Sequence, residues 1–418
     1  MYIKQVLENR ESWWGYLLTV ILIVPVAVFL FSIPHGIILT SKAFGDEELM
    51  AKIASGDMAA MMSVLEPNLN LFLMLLPFLG MLLAVFFSTK IIHKNSIREL
   101  TTSREKIDWS RVFFAFGLWG SISATMIFLD YNFFTPENYE WNLNLVPFLI
   151  LCVIVILLLP IQTSAEEYLF RGYLMQGIGV ISGNRWLPLI LTSLAFGLMH
   201  YANPEIAKFG NIVYVFYIGS GLFAGIMTLM DEGMELALGW HAANNMVAAL
   251  LVTADWTALQ THSMLKDISN PESMPLGEVL IPVLIFFPAI LLIFAKKYEW
   301  TDWNNKLFGK IEISFQENLP QSSKPTKVDK DDQKDASNLF IAIGYVLSLP
   351  IFIPLGIDLN VLNGLLGIAT GSYIYQPSKA WSRSSGKKYS DNSRKHGLAM
   401  IIIGLITFFL SQILSGKI

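Results

Sequence analysis

Three groups of polar side chains lie within or beside strongly apolar stretches between residues 160 and 250. They are Glu166, Glu167 and Arg171, then His200, then His241 and Asn245. An ionisable group inside a bilayer costs roughly 2.5–3.5 kcal/mol on insertion scales, so each of these side chains is a candidate functional residue. A carboxylate, a separate histidine and a histidine–asparagine pair together supply the groups needed to hydrolyse an amide with water.

The first group directly follows an apolar run that ends at Ala165. On a helix, Glu167 and Arg171 are i,i+4 neighbours and can form an ion pair. Glu166 lies about 100° away around the same helix and points elsewhere. The spacing therefore predicts one structural ion pair and one carboxylate left for chemistry. The alternative is a helix end at the cytosolic interface, where charged residues are normal.

The two histidines lie in apolar, helical stretches. His200 follows residues 187–199, whereas His241 and Asn245 are one helical turn apart and share a helix face. A histidine can activate water or protonate a leaving amine, and imidazole and carboxamide groups can stabilise an oxyanion. Both histidines could instead be buried side chains that hydrogen-bond between packed helices. The same side chains could also bind a zinc ion, although the sequence has no His-Glu-x-x-His motif and asparagine is a poor zinc ligand.

The elements that must position these residues are membrane helices. Of 418 residues, 54% are hydrophobic and only 15% are charged, whereas soluble domains carry about 25% charged residues. The net charge of −4 argues against a nucleic-acid partner, and the single cysteine, Cys152, excludes a disulfide scaffold. The composition thus predicts an all-α, polytopic membrane protein.

Apolar runs long enough to cross about 30 Å of hydrocarbon recur along the chain. The predicted spans are Ser12–Ile33, Leu71–Thr89, Val112–Leu129, Leu143–Ala165, Trp186–His200, Phe209–Met230, Leu236–Thr253, Val279–Ala295, Asn338–Ile357 and Gly397–Leu414, with Leu359–Pro377 as a weaker candidate. We therefore expect a helical core of about eight helices over residues 1–295. A hydrophilic cytosolic linker (296–337) and a C-terminal membrane extension of two or three helices (338–418) follow.

Loop charge predicts the orientation in the membrane. Six basic residues crowd the loop between Lys90 and Arg111, whereas the next loop, residues 130–142, contains no lysine or arginine. This pattern places the N-terminus and the basic loop in the cytosol, with Glu166 on the cytosolic side. Since no targeting signal is visible, we expect a bacterial cell membrane.

The ordered motifs resemble those of the CAAX-protease and bacteriocin-processing family of intramembrane glutamate proteases, which includes the type II prenyl-protein endopeptidases. The motifs are Glu-Glu-x-x-x-Arg at Glu166–Arg171, Phe-x-x-x-His at Phe196–His200 and His-x-x-x-Asn at His241–Asn245. The resemblance covers residues 143–253. It implies that Glu166 and His200 activate the water, that His241 and Asn245 form the oxyanion site, and that Glu167 and Arg171 support them. It also implies a cavity reachable from the cytosol.

On this basis we expect an endopeptidase that cleaves a membrane-associated protein or a lipidated peptide without a cofactor. Three alternatives stay open: a non-catalytic scaffold or bacteriocin-immunity factor of the same family, a zinc-dependent membrane protease, and a transporter with a Glu/His proton relay. A transporter should show two related halves, and no internal repeat is visible. The sequence indicates neither the substrate nor the oligomeric state.

Overall fold

A computed structural model describes residues 1–6, 13–55, 58–270, 276–311, 341, 344, 364–371, 374 and 391–414. The chain divides into two compact units, Met1–Phe315 and Gln316–Ile418. Most of the predicted linker, almost all of the predicted span Asn338–Ile357 and about half of the weaker candidate Leu359–Pro377 lie outside the described residues. The division into residues 1–295, 296–337 and 338–418 therefore stays a prediction.

Within the described ranges, six helices are long and apolar enough to cross a membrane. Together with two shorter helices they make up most of the first unit, in the order α1 (Trp14–Ala43), α2 (Pro67–Ile92), α3 (Trp109–Phe134), α4 (Leu145–Ser182), α5 (Trp186–Leu198), α6 (Gly210–Asp231), α7 (Glu235–Leu251) and α8 (Leu276–Lys297). Each of the eight spans predicted before residue 296 corresponds to one of these helices. The prediction of an all-α, polytopic fold is confirmed, and the protein is an integral multi-pass membrane protein.

Helix α4 shows how the helices divide their surface between core and lipid. Leu151, Val155 and Leu159, one turn apart, have no exposed surface. Ile156 and Leu157, which point away from this row, are 60% and 61% exposed. Soluble proteins rarely expose apolar faces of this extent, so lipid covers this side of the helix.

The same helix extends well beyond its predicted end at Ala165. It continues through a π-helical segment, Tyr168–Leu174, and regular turns, Met175–Ser182. It ends at Gly183, whose φ of +70° suits glycine. About 22 Å of helix follows Glu167 at 1.5 Å per residue. The predicted boundary is wrong because buried partners neutralise the charges that interrupt the hydropathy run. These charges therefore do not mark the end of a helix at the cytosolic interface, which was the alternative interpretation.

Basic side chains gather at one end of the first unit. Arg104 pairs with Asp231 at 2.8 Å and with Glu235 at 3.1 Å, and Arg111 pairs with Asp231 at 2.6 Å. These contacts tie the basic loop to the end of α6 and the start of α7. We call this the basic end, and the positive-inside rule predicts that it is cytosolic.

The opposite end carries a small sheet that the sequence did not predict. Its strands are β1 (Tyr139–Trp141), β2 (Val252–Thr253) and β3 (Leu265–Asp267), in the order β1-β3-β2. Strand β3 is antiparallel to β1 and parallel to β2. Strands of two or three residues are too short to show an alternating pattern.

Short helices connect the long ones: Glu47–Ala54, Met58–Val64, Ile97–Thr101, the 3₁₀ turn Pro136–Asn138, Pro204–Phe209 and Trp303–Phe308. In the second unit, α9 (Asp391–Leu414) packs closely against helical residues 364–371. A Cβ added to Gly371 would collide with the carbonyl oxygen of Gly397. Small residues of this kind let membrane helices approach closely.

Candidate active site

Four helices bring the three sequence motifs into one buried cluster. The Arg171 guanidinium, on α4, donates to the carbonyl oxygen of Gly221 on α6 at 3.1 Å. It also lies over the Phe196 ring of the second motif, 4.3 Å from the ring centroid. His241, on α7, contacts Glu167 on α4. The motif residues are therefore neighbours in space, although about 75 residues separate the first motif from the last.

Glu167 is held by two partners and has no exposed surface. Its Oε1 accepts from Arg171 Nη1 at 3.1 Å and from His241 Nδ1 at 2.8 Å. Arg171 is fully buried as well. The ion pair expected from the i,i+4 spacing is thus present. Because an unpaired buried charge is costly, this pairing is what allows both charges inside the helix bundle.

Glu166 is the carboxylate that the structure leaves unengaged. Its Oε2 is 3.4 Å from His241 Nε2, yet it makes no hydrogen bond among the described residues although it is buried. Because His241 Nδ1 donates to Glu167, its Nε2 is the ring nitrogen that faces Glu166. The two glutamates therefore lie on either side of one imidazole ring at the centre of the bundle.

His200 is fixed in orientation by two contacts. Its ring stacks on Tyr217 of α6 with 4.0 Å between centroids and 19° between planes. Its Nδ1 donates to the Phe196 carbonyl oxygen at 2.8 Å, because a carbonyl can only accept. In the neutral ring, Nε2 is then the nitrogen with the free lone pair. His200 also interacts electrostatically with Glu166.

Two residues near His200, Tyr217 and Phe196, make contacts that the sequence does not indicate. The Tyr217 hydroxyl accepts from Asn203 Nδ2 at 3.0 Å, which fixes the ring under His200. Phe196 lies between the two histidines, 4.9 Å from the His200 ring and 5.8 Å from the His241 ring. The fixed phenylalanine of the second motif therefore joins the histidines to Arg171. Tyr217 lies in an ordinary apolar, aromatic stretch and gives no local signal.

The pair His241 and Asn245 shares a helix face, but the two side chains have different partners. His241 lies between the two glutamates, whereas Asn245 Nδ2 donates to Gln162 Oε1 at 2.9 Å. Gln162 was missed, although a polar residue one turn before Glu166 in an apolar run was a usable signal. The oxyanion role of His241 and Asn245 stays a prediction.

The arrangement of these side chains also bears on whether the site could bind a zinc ion. Among the described residues, no group of three or more His, Cys, Asp or Glu side chains is arranged to hold a metal ion. Glu167 is already engaged by Arg171 and His241. The zinc-dependent alternative therefore has no ligand set to support it in this part of the chain.

The segment that carries the three motifs is also the part of the chain that matches a known protein family. Residues 143–247 match the family model described as type II CAAX prenyl endopeptidase Rce1-like. The segment that carries the candidate site is therefore similar to this family. The resemblance inferred from the motifs is confirmed, and its extent agrees closely with the predicted residues 143–253.

A second sequence similarity covers a longer part of the chain than the motifs. The chain is 27% identical over 300 residues to the uncharacterized protein YyaK of Bacillus subtilis (strain 168), covering 70% of this chain and 95% of that protein. The name of this relative states no activity. No solved structure matches the chain.

Proposed function

We propose that the protein is an intramembrane endopeptidase in which Glu166 and His200 activate a water molecule. One observation carries this proposal: no hydrogen bond to Glu166 is found among the described residues and its Oε2 is buried, whereas Glu167, whose Oε2 is also unbonded, accepts from both Arg171 and His241 through Oε1. Buried polar atoms are normally hydrogen-bonded, and exceptions call for a functional explanation. The family match adds that Rce1-like proteins are endopeptidases.

The proposed reaction uses the geometry as follows. Glu166 takes a proton from water, and His200 Nε2 accepts a hydrogen bond from the same water. The hydroxide adds to the peptide carbonyl carbon, and the carbonyl oxygen becomes an oxyanion. The intermediate then collapses, the C–N bond breaks, and the leaving amine takes up the proton that the water lost.

Two donors can stabilise the oxyanion. His241 can donate from its Nε2 edge, which faces Glu166 at 3.4 Å, and Asn245 presents its amide NH₂. In enzymes that use such donors, one is worth about 2.7–4 kcal/mol of transition-state stabilisation. No cofactor takes part in this scheme.

We further propose a membrane-associated protein or lipidated peptide as the substrate. The cluster lies inside the bundle, since His241 is six residues into α7 from its start at the basic end, about 9 Å along the helix. A substrate anchored in the bilayer reaches this depth directly. The predicted cytosolic position of the basic end makes the cytosol the side of access, in a bacterial cell membrane.

The proposal is tested by comparing membrane proteomes from cells that produce wild type, Glu166→Gln or His200→Ala. We expect a set of peptide termini to be present with wild type and absent with both variants at equal protein levels. Glu137→Gln, in an exposed loop, is the matched control and should leave these termini unchanged. Termini that persist in Glu166→Gln would contradict the proposal.

The scaffold or immunity alternative makes the opposite prediction. A scaffold works through its shape, so a double variant Glu166→Gln, His200→Ala should restore a deletion phenotype. An endopeptidase of the proposed mechanism should fail to do so.

A further inference from the structure

Four side chains from three helices form one continuous hydrogen-bond relay beside the active site. Trp119 Nε1, on α3, donates to Asn244 Oδ1 at 3.1 Å. Asn244 Nδ2 donates to Asn245 Oδ1 at 3.1 Å, and Asn245 Nδ2 donates to Gln162 Oε1 at 2.9 Å. Trp119 and Gln162 are buried, with 6% and 7% of their surfaces exposed.

The relay has a defined direction because an indole N–H can only donate. Asn244 must turn its oxygen towards Trp119, which aims its NH₂ at Asn245. Asn245 must then accept with its oxygen and donate with its own NH₂ towards Gln162. Without the indole, the amide groups could all reverse together, since the oxygen and nitrogen of an amide are nearly equal in shape.

We infer that Trp119 and Asn244 are positioning residues that fix the direction of the Asn245 amide. This inference rests on the proposed function, in which Asn245 donates to an oxyanion. In the observed direction Asn245 presents NH₂ on the side of Gln162, which lies one helical turn before Glu166. In the reverse direction it would present a carbonyl oxygen there, which repels an oxyanion.

The relay is tested first without any substrate, by thermal unfolding of the full-length protein in detergent. The variants are Trp119→Phe, Gln162→Leu and their combination. Gln162→Leu leaves the Asn245 NH₂ without its acceptor while Trp119 still holds it in that direction. Removing the indole N–H lets the two asparagines reorient and relieves part of this cost. The double variant should therefore lose less melting temperature than the sum of the single losses.

Trp240→Phe is the matched control. Trp240 is 2% exposed, and its indole N–H has no hydrogen-bond partner among the described residues. Combined with Gln162→Leu, it should give additive losses, because its indole N–H donates to no member of the relay. Additive losses for Trp119→Phe with Gln162→Leu would overturn the inference.

The second measurement is turnover of a peptide spanning a cleavage site that wild type cuts and Glu166→Gln does not. Trp119→Phe should lower kcat at least about twofold without changing KM, since the amide then occupies two directions of comparable population. The effect should vanish in an Asn245→Ala background, and Trp240→Phe should leave kcat unchanged. An unchanged kcat in Trp119→Phe would overturn the positioning role while the proposed function stands. If wild type cuts no peptide, the proposed function fails, and the unfolding measurement still decides the relay.

Discussion

Two buried charge clusters in the first unit differ in how completely their atoms are hydrogen-bonded. The end cluster comprises Arg104, Arg111, Asp231 and Glu235 at the basic end. All four carboxylate oxygens of Asp231 and Glu235 accept a hydrogen bond, from the two arginines, the Trp300 indole and the backbone N–H of Asp108. Such a saturated network holds the ends of the helices together.

The candidate active-site cluster comprises Glu166, Glu167, Arg171 and His241. Here Oε2 of both glutamates and Nε of Arg171 are buried without a hydrogen bond among the described residues. Both clusters contain two carboxylates and at least one arginine, so composition does not distinguish them. The end cluster therefore has no carboxylate oxygen left for another partner, whereas the cluster around Glu166 keeps buried acceptors that a water molecule or a substrate could fill.

The largest effect on stability is expected from Arg171→Met. This change leaves Glu167 charged, fully buried and without its ion-pair partner. Breaking a buried pair in this way costs about 3–5 kcal/mol of unfolding free energy, which denaturant titration in detergent would measure. Lys52→Met, in an exposed i,i+4 pair with Glu48, should cost about 1 kcal/mol or less. Equal stability of the two variants would contradict the structural role of Arg171.

Asp231→Asn makes in the end cluster the same chemical change that Glu166→Gln makes in the candidate active site. Asp231 accepts from both arginines, and a hydrogen bond to a charged group contributes about 1.5–3 kcal/mol. We expect a loss of this size in unfolding free energy, with the turnover of the folded protein kept. If Asp231→Asn abolished turnover while remaining folded, the end cluster would belong to the chemistry.

A smaller effect, and one that depends on pH, is expected at Glu232 beside the end cluster. Burial raises the pKa of this carboxyl, but the N–H of Tyr2 and the cations Lys306 and Arg185 outweigh it, so the pKa lies below its ordinary value of 4.5. A carboxyl with a lowered folded pKa stabilises the protein above pH 4.5, and this contribution is lost as the pH falls further, through the folded pKa.

The melting temperature of wild type should thus fall more steeply below pH 4.5 than that of Glu232→Gln. The experiment is a thermal melt at several pH values on each side of this point. Parallel curves for the two proteins would show that Glu232 contributes nothing to acid sensitivity.

Tyr217→Phe should have the smallest effect. The variant loses the hydrogen bond from Asn203 but keeps the ring that stacks on His200. We expect a cost of about 0.5–1.5 kcal/mol in unfolding free energy and a modest fall in turnover. A loss of turnover as large as that of Glu166→Gln would place the Tyr217 hydroxyl among the reacting groups.

The sequence predicted those features that depend on local spacing. The i,i+4 rule found the pair Glu167–Arg171 and placed His241 and Asn245 on one face, and hydropathy located the eight helices of the first unit. Helical periodicity and apolar length are properties of a short window, so they can be read without the fold.

Features that depend on contacts between distant segments could not be predicted. Nothing local shows that Tyr217 stacks on His200, or that Trp119 directs the Asn245 amide through Asn244. The predicted helix end at Ala165 failed for the same reason. Charged residues interrupt a hydropathy window, and only the fold shows that the Glu167–Arg171 pair is buried and completed by contacts from α6 and α7.

The central claim is that Glu166 is the carboxylate kept for chemistry and that Glu167 is structural. It is tested most directly by purifying Glu166→Gln and measuring its turnover of a wild-type substrate peptide together with its melting temperature. We predict a loss of turnover of about 10²–10⁴-fold, the usual contribution of a general base, at an unchanged melting temperature. Turnover near that of wild type, or a fall in melting temperature as large as that of Arg171→Met, would contradict the claim.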